Sequence, residues 1–233
     1  MLEEDAELSG NISLASFGEV LGIASTNVSA YSNGNDSYIS KEYYNLYGIF
    51  MGMKWQCVEY ARRWLFIRKG CVFGSIEGAA DMWSELAHVQ RVINGQCFPL
   101  TTHPNGSPYP PRNESLLIYS RSSPDMPYGP VAVIVDVGLN FVRVAEENFN
   151  FYYWSDNYAR QIPFVIKNGS YFIEDDYHIY GWMSIEDGNQ LKPYIIAGLS
   201  TGCLIVFNVN CNVLTQSRRD PTITIANSTK PIQ

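Results

Sequence analysis

Metal chemistry is poorly provided for in this chain. It contains three histidines (His88, His103 and His178), and none of its five cysteines (Cys57, Cys71, Cys97, Cys203, Cys211) stands in C-x-x-C spacing. That excludes the usual zinc patterns and argues against a disulfide framework. The expectation is therefore reduced thiols, no metal and no cofactor. Basic residues are also short. The 16 Lys and Arg against 23 Asp and Glu leave a formal charge of −7, the wrong sign for a nucleic-acid footprint. No apolar run is long and unbroken enough to cross a bilayer, IIAGLSTGCLIVF (Ile195 to Phe207) included, so no membrane partner is expected. The opening MLEEDAELS lacks the apolar centre of a signal peptide, and a cytoplasmic setting follows as the expectation. The Asn-x-Ser/Thr triplets at Asn11, Asn27, Asn35 and Asn113 then read as chance.

What the chain does have is the means to build a core. Its 233 residues are 46% hydrophobic and 17% charged, which marks a globular protein. Residues 1–13 form an acidic arm, and residues 191–233 form a tail with no place in the domain pattern. Between them, Phe17 to Tyr38 reads as loops and short strands, and Ser40 to Tyr44 as the start of a short helix. Cys57 to Arg68 has helical spacing, with Cys57, Ala61, Trp64 and Leu65 on one face and Gly70 as its stop. Ala79 to Ile93 repeats that spacing. His103 to Pro111, HPNGSPYPP, reads as a loop and Ser115 to Tyr119 as a strand. Tyr128 to Val137 and Phe141 to Phe149 flank Gly138-Leu139-Asn140 as a hairpin. Further strands are expected at Phe164–Ile166, Tyr171–Ile173 and Tyr180–Met183. Helices early and an antiparallel sheet late give an α+β fold.

One stretch, MKWQCVEYARRW (Met53 to Trp64), carries chemistry. A cysteine in the first turn of a helix meets the positive end of the helix dipole, which favours its thiolate. Gln56 before it could offer a side-chain N–H to an oxyanion, beside the backbone N–H of Cys57. A buried core cysteine is the competing reading of Cys57. A nucleophilic thiol also needs a base and a group to orient that base. If Gly138-Leu139-Asn140 is a three-residue turn, Val137 pairs with Phe141 and Ala132 lies opposite Glu146. Position 130 is then the diagonal, same-face neighbour of Glu146. A two-residue turn would separate the two onto opposite faces.

Four pieces together resemble a known family: WQCVEYARR (Trp55 to Arg63), PNGSP (Pro104 to Pro108), the strands GPVAVI (Gly129 to Ile134) and VRVAEEN (Val142 to Asn148), and GWM (Gly181 to Met183). They are similar to the amidase domain of glutathionylspermidine and trypanothione synthetase-amidases, a CHAP domain of papain-like α+β fold. The resemblance runs over about residues 14–187, and the CHAP domain is set at 14–190. It implies N-terminal helices packed on an antiparallel sheet. It also implies hydrolysis of the amide between glutathione and spermidine, with a small-molecule glutathione–polyamine conjugate as partner. By the same resemblance Cys57 is the nucleophile, Gln56 an oxyanion contributor and Glu146 the acid that orients a histidine. Arg62 falls where the family has an arginine implicated in holding the glutathione part; Arg63 reads as an ion-pair residue.

Two departures bear on the chemistry. The family has histidine between Gly129 and Val131, where this chain has Pro130, and it usually reads A-E-Q-N where this chain has Ala145-Glu146-Glu147-Asn148. No synthetase domain is recognisable in the tail. Proline cannot take a proton, so the amidase reading implies impaired catalysis. The alternative is an inactive relative that binds a ligand or a protein. A peptidoglycan amidase of the CHAP type is a third reading, disfavoured by the expected setting. None of the three histidines suggests itself as a substitute base. His103 reads as a loop residue, His88 as a helix residue and His178 as a solvated neighbour of Glu174-Asp175-Asp176. The aromatic run Asn148 to Trp154 reads either as cleft lining or as packing.

Overall fold

The computed structural model describes residues 14–35, 37–121, 126–188 and 191; the acidic arm and nearly all of the tail lie outside them. Two short hairpins come first, β1 (Val20–Ile23) with β2 (Ser29–Tyr31) and β3 (Tyr43–Leu46) with β4 (Ile49–Met53). Helix α1 (Cys57–Lys69) follows, then β5 (Cys71–Val72). A 3-10 turn (Ala79–Asp81) runs into the one-turn helix α2 (Met82–Glu85). The rest is β6 (His88–Arg91), β7 (Cys97–Pro104), β8 (Leu116–Tyr119), β9 (Val131–Val137), β10 (Phe141–Ala145), β11 (Arg160–Lys167), β12 (Ser170–Ile173) and β13 (Ile179–Ile185). Nine of these strands form one antiparallel sheet in the order β12-β11-β10-β9-β8-β13-β7-β6-β5. The fold is α+β, with one substantial helix among the described residues rather than several.

Alternation along the central strands feeds two cores. On β8, Leu116 and Ile118 join the cluster shared with α1, whereas Leu117 and Tyr119 face the opposite side. Helix α1 contributes Ala61, Trp64 and Leu65 to the first cluster, the face expected from their spacing. It stops at Gly70, whose left-handed backbone (φ 64°) lets its N–H reach the carbonyls of Leu65 and Phe66. Trp64 Nε1 donates to Thr26 Oγ1 at 2.9 Å and ties the helix to the first hairpin.

Two expected helices are corrected. Ser40–Tyr44 does not start a helix: Tyr43 and Tyr44 pair with Met53 and Gly52, and aromatic β-formers with a strand beside them take the sheet. The periodicity over Ala79–Ile93 holds for only one turn of α2. Leu86 is extended (φ −93°, ψ 95°), and His88–Arg91 then pairs with β5 and β7, with Val89 buried between flanking residues that are partly exposed. His88 is therefore a strand residue.

The late motifs are structural locks. A Cβ on Gly181 would sit 2.0 Å from the backbone oxygen of His103, so β13 and β7 approach too closely for any side chain there. Trp182 and Met183 then fill opposite cores. In PNGSP, Asn105 donates to the carbonyl of Ile173 (2.9 Å) and accepts from its N–H (2.8 Å), pinning the loop to β12.

Register decides what lies beside position 130. Val137 pairs with Val142 rather than Phe141, so the hairpin turn is one residue longer than expected. The ladder then shifts on β9: Asp136 pairs with Arg143, but Ile134 pairs with Val144 and Val133 with Ala145. Val135 is the surplus residue of a bulge. The shift restores the expected pairing at the other end, and continuing it places Ala132 opposite Glu146.

Candidate active site

Gln56 is the residue before α1, with extended backbone angles (φ −94°, ψ 152°), and Cys57 is the first helical residue. Cys57 packs against the α1-side core and opens on a cavity of about 400 Å³. Tyr43, Phe50, Arg62, Tyr128 and Gly129 share that cavity with it. The backbone N–H groups of Val131 and Val58 both face the sulfur. Residue 130 is thus one peptide from the N–H that faces the sulfur. It is a buried proline whose carbonyl accepts from the Tyr119 N–H at 3.1 Å.

Burial works against the thiolate that a helix terminus favours. Burial pushes the Cys57 thiol up to about 11; the two backbone N–H groups pull the other way, and Glu146 and Glu147 push it further up. Desolvation is the larger effect and outweighs what the two N–H groups and the helix terminus return. Alkylation of Cys57 by iodoacetamide should accordingly rise through pH 10–11, about two units above an ordinary cysteine near 8.5. A stopped-flow pH profile with a midpoint near 8 would contradict this.

Glu146 is buried, at 3% exposure. Arg160 holds it through Nε–Oε1 at 2.5 Å and Nη2–Oε2 at 3.3 Å. Burial raises its carboxyl from the ordinary range, with Arg160 opposing. Arg160 also reaches Asp175 at 2.9 Å and the Tyr119 hydroxyl at 3.0 Å, and lies 3.7 Å from the Phe149 ring centroid. Asp175 is therefore no solvated member of an acidic run; its side chain is 7% exposed and ion-paired. His178 beside it is exposed. His103 is 9% exposed and stacked on Trp182, and burial lowers its pKa. No histidine lies in the cavity wall of the described residues.

Arg62 and Arg63 are both buried, at 3% and 2% exposure. Arg62 donates to the carbonyls of Met51 (2.5 Å), Gly74 (2.8 Å) and Phe73 (3.1 Å), with its guanidinium 4.4 Å from the Phe73 ring centroid. Burial lowers it to about 10, still a cation at neutral pH. Its place in the cavity wall offers positive charge to an occupant. Gly52 permits this arrangement: at φ 140°, a Cβ there would sit 3.1 Å from Glu59 Cβ and 3.3 Å from Arg62 Nη1.

Arg63 is an ion-pair residue, and of the surface and buried alternatives the pair is the buried one. It holds Glu59 Oε1 (2.7 Å), Glu147 Oε1 (2.5 Å) and the Ser29 carbonyl (2.5 Å). Two carboxylates share one guanidinium, and Glu147 Oε2 has no hydrogen-bond partner. Burial raises Glu147 well above the carboxylate range, with Arg63 opposing and Glu59 adding to the rise. A folded-state pKa above the unfolded one favours folding at low pH, and the benefit is lost as pH rises through the folded value. Glu147→Gln should therefore stabilise the fold by about 1 kcal/mol at pH 7–8 and have little effect near pH 4. Urea unfolding at the two pH values measures this.

Sequence reasoning missed Arg160, Asp175 and Tyr119, which carry no motif. It also missed the Glu59–Arg63 pair, which the i, i+4 spacing could have shown. The aromatic run is mostly packing. The Phe151 carbonyl accepts from Ala15, Trp154 packs against Gly22, and Tyr153 donates to Glu19 at 2.9 Å. No described helix is long and apolar enough to cross a membrane.

These elements make an α+β domain whose main helix opens with a cysteine at a cavity that a buried arginine shares. Comparison with known proteins supplies the relatives. The chain is 36% identical over 181 residues to the bifunctional glutathionylspermidine synthetase/amidase of Escherichia coli K12, covering 72% of this chain and 29% of that protein. It is 35% identical over 160 residues to the trypanothione synthetase of Crithidia fasciculata, covering 69% and 24%. A glutathionylspermidine synthase of the same organism is 28% identical over 194 residues, covering 73% and 26%. No family model matches the chain. The chain is a homologue of these proteins, and the matched region fits the amidase domain of the bifunctional one. It spans less than a third of the length of the relatives it matches.

Proposed function

We propose that this chain is a CHAP-type, papain-like amidase domain that binds a glutathione–polyamine conjugate at the Cys57 cavity with its acyl-transfer chemistry disabled. The observation that carries the reading is Pro130, one peptide from the N–H that faces the Cys57 sulfur. In amide hydrolysis by a thiol, the sulfur must lose its proton and add to the carbonyl carbon. The tetrahedral oxyanion then expels the protonated amine and leaves a thioester, which water cleaves. Arg62 would hold a carboxylate of the glutathione part, and Cys57 and Gln56 would meet the scissile carbonyl. Glu146 stands ready to orient an imidazole that the sequence does not supply. A thiol held near 11 stays protonated at neutral pH, which favours ligand binding over turnover.

Calorimetric titration with glutathionylspermidine, glutathione and spermidine separately tests the reading. Binding of the first two, with spermidine alone weak, is the expected pattern. Absence of binding by both glutathionyl compounds would refute it.

A further inference from the structure

Gln56 occupies a position normally given to Ser, Thr, Asp or Asn, whose side chains cap the helix. It makes no such bond. Its amide is committed elsewhere: Nε2 donates to Asn33 Oδ1 at 3.1 Å, and Oε1 accepts from Asn148 Nδ2 at 2.7 Å. The direction of this chain is set from one end. Asn33 is fully buried, and its Nδ2 donates to the carbonyls of Asn35 (3.1 Å) and Tyr38 (2.7 Å). Both of its donors are spent, so its oxygen must face Gln56 and can only accept. Gln56 must then present nitrogen to Asn33 and oxygen to Asn148. Asn148 reaches it from a left-handed backbone (φ 55°), which asparagine tolerates better than most residues. One hydrogen of Gln56 Nε2 is taken by Asn33, and the second is left for an occupant of the cavity that Gln56 and Cys57 line together.

We propose that Asn33 and Asn148 are positioning residues that lock the Gln56 amide, nitrogen toward the cavity, so that it donates to the oxygen of an adduct formed on Cys57. This rests on the reading of Cys57 as a site of carbonyl addition. It does not need the missing base, because an equilibrium adduct reports the donor directly.

[1-13C]Acetaldehyde is the probe. Its carbonyl carbon bonds to the sulfur and the thiol proton ends on the former carbonyl oxygen, giving a hemithioacetal that 13C NMR quantifies. Asn148→Gly removes the donor to Gln56 Oε1, suits the left-handed backbone and adds no charge near the thiol, which frees the amide to turn. Gln56→Ala should weaken the adduct about tenfold, the worth of one hydrogen bond, and Asn148→Gly, which only unlocks the amide, about three- to tenfold. Iodoacetamide alkylation of Cys57, which builds no such oxygen, should keep its rate. An adduct on the unaltered chain no more stable than that of N-acetylcysteine overturns the proposal. So does unchanged adduct stability in either variant, or adduct and alkylation falling together, which marks general disruption. Failure of glutathionylspermidine to bind, with the acetaldehyde pattern intact, sinks the functional reading above and leaves the Gln56 lock standing.

Discussion

Pro130→His is expected to raise the rate of spermidine release from glutathionylspermidine by about 10²–10⁴-fold, the contribution of a well-placed general base. The proposed function puts the base at this position. Val131 N–H faces the sulfur, and the register carries Glu146 to a place diagonal to residue 130. Arg160 engages both Glu146 oxygens, but each carboxylate oxygen has a further lone pair for an imidazole N–H. The same substitution should draw the Cys57 alkylation midpoint down from about 11, because an imidazolium favours the thiolate. Adding Cys57→Ala to the restored protein should abolish release. Equal and substantial turnover with and without the histidine would show that another group takes the proton.

Arg62→Lys keeps a positive charge and should still fail. A lysine ammonium cannot match the planar fork that now serves the Met51, Gly74 and Phe73 carbonyls together. Leaving buried carbonyls without donors should cost about 2–4 kcal/mol of unfolding free energy in urea. Glutathione affinity should fall by at least about tenfold, because the charge no longer meets the cavity at a fixed angle. Unchanged affinity on calorimetry would remove Arg62 from the binding site and reduce it to a structural cation.

Much of this was legible in the sequence, for identifiable reasons. Helix α1 showed itself through Ala61, Trp64 and Leu65 and through its Gly70 stop. The late strands showed themselves as β-branched and aromatic runs between turn residues. Short elements were not legible: Tyr43–Leu46 and His88–Arg91 become strands because partners lie beside them, information that no local window contains. The chemistry divides in the same way. Cys57, Gln56 and Arg62 stand within one motif and meet in one cavity. The partners that set their state are distant in sequence: Arg160 for Glu146, Glu147 for Arg63, and Asn33 and Asn148 for Gln56. A motif could suggest an ionised thiol; only burial and the neighbouring carboxylates set the direction of its titration.

Val135 has a consequence for how this hairpin can vary. On β9, Val133 and Val135 share one core, yet Val137 packs with Ile134 in the other. The inside-outside parity of the strand is therefore reset midway. The loop end keeps one phase and the cavity end another, so lengthening or shortening at the loop can be absorbed before it reaches Pro130. Excising Val135 should make Ile134–Val144 and Asp136–Arg143 consecutive pairs and keep Ile134 and Val137 on one face, making this one valine the slack that separates the cavity end from the tip.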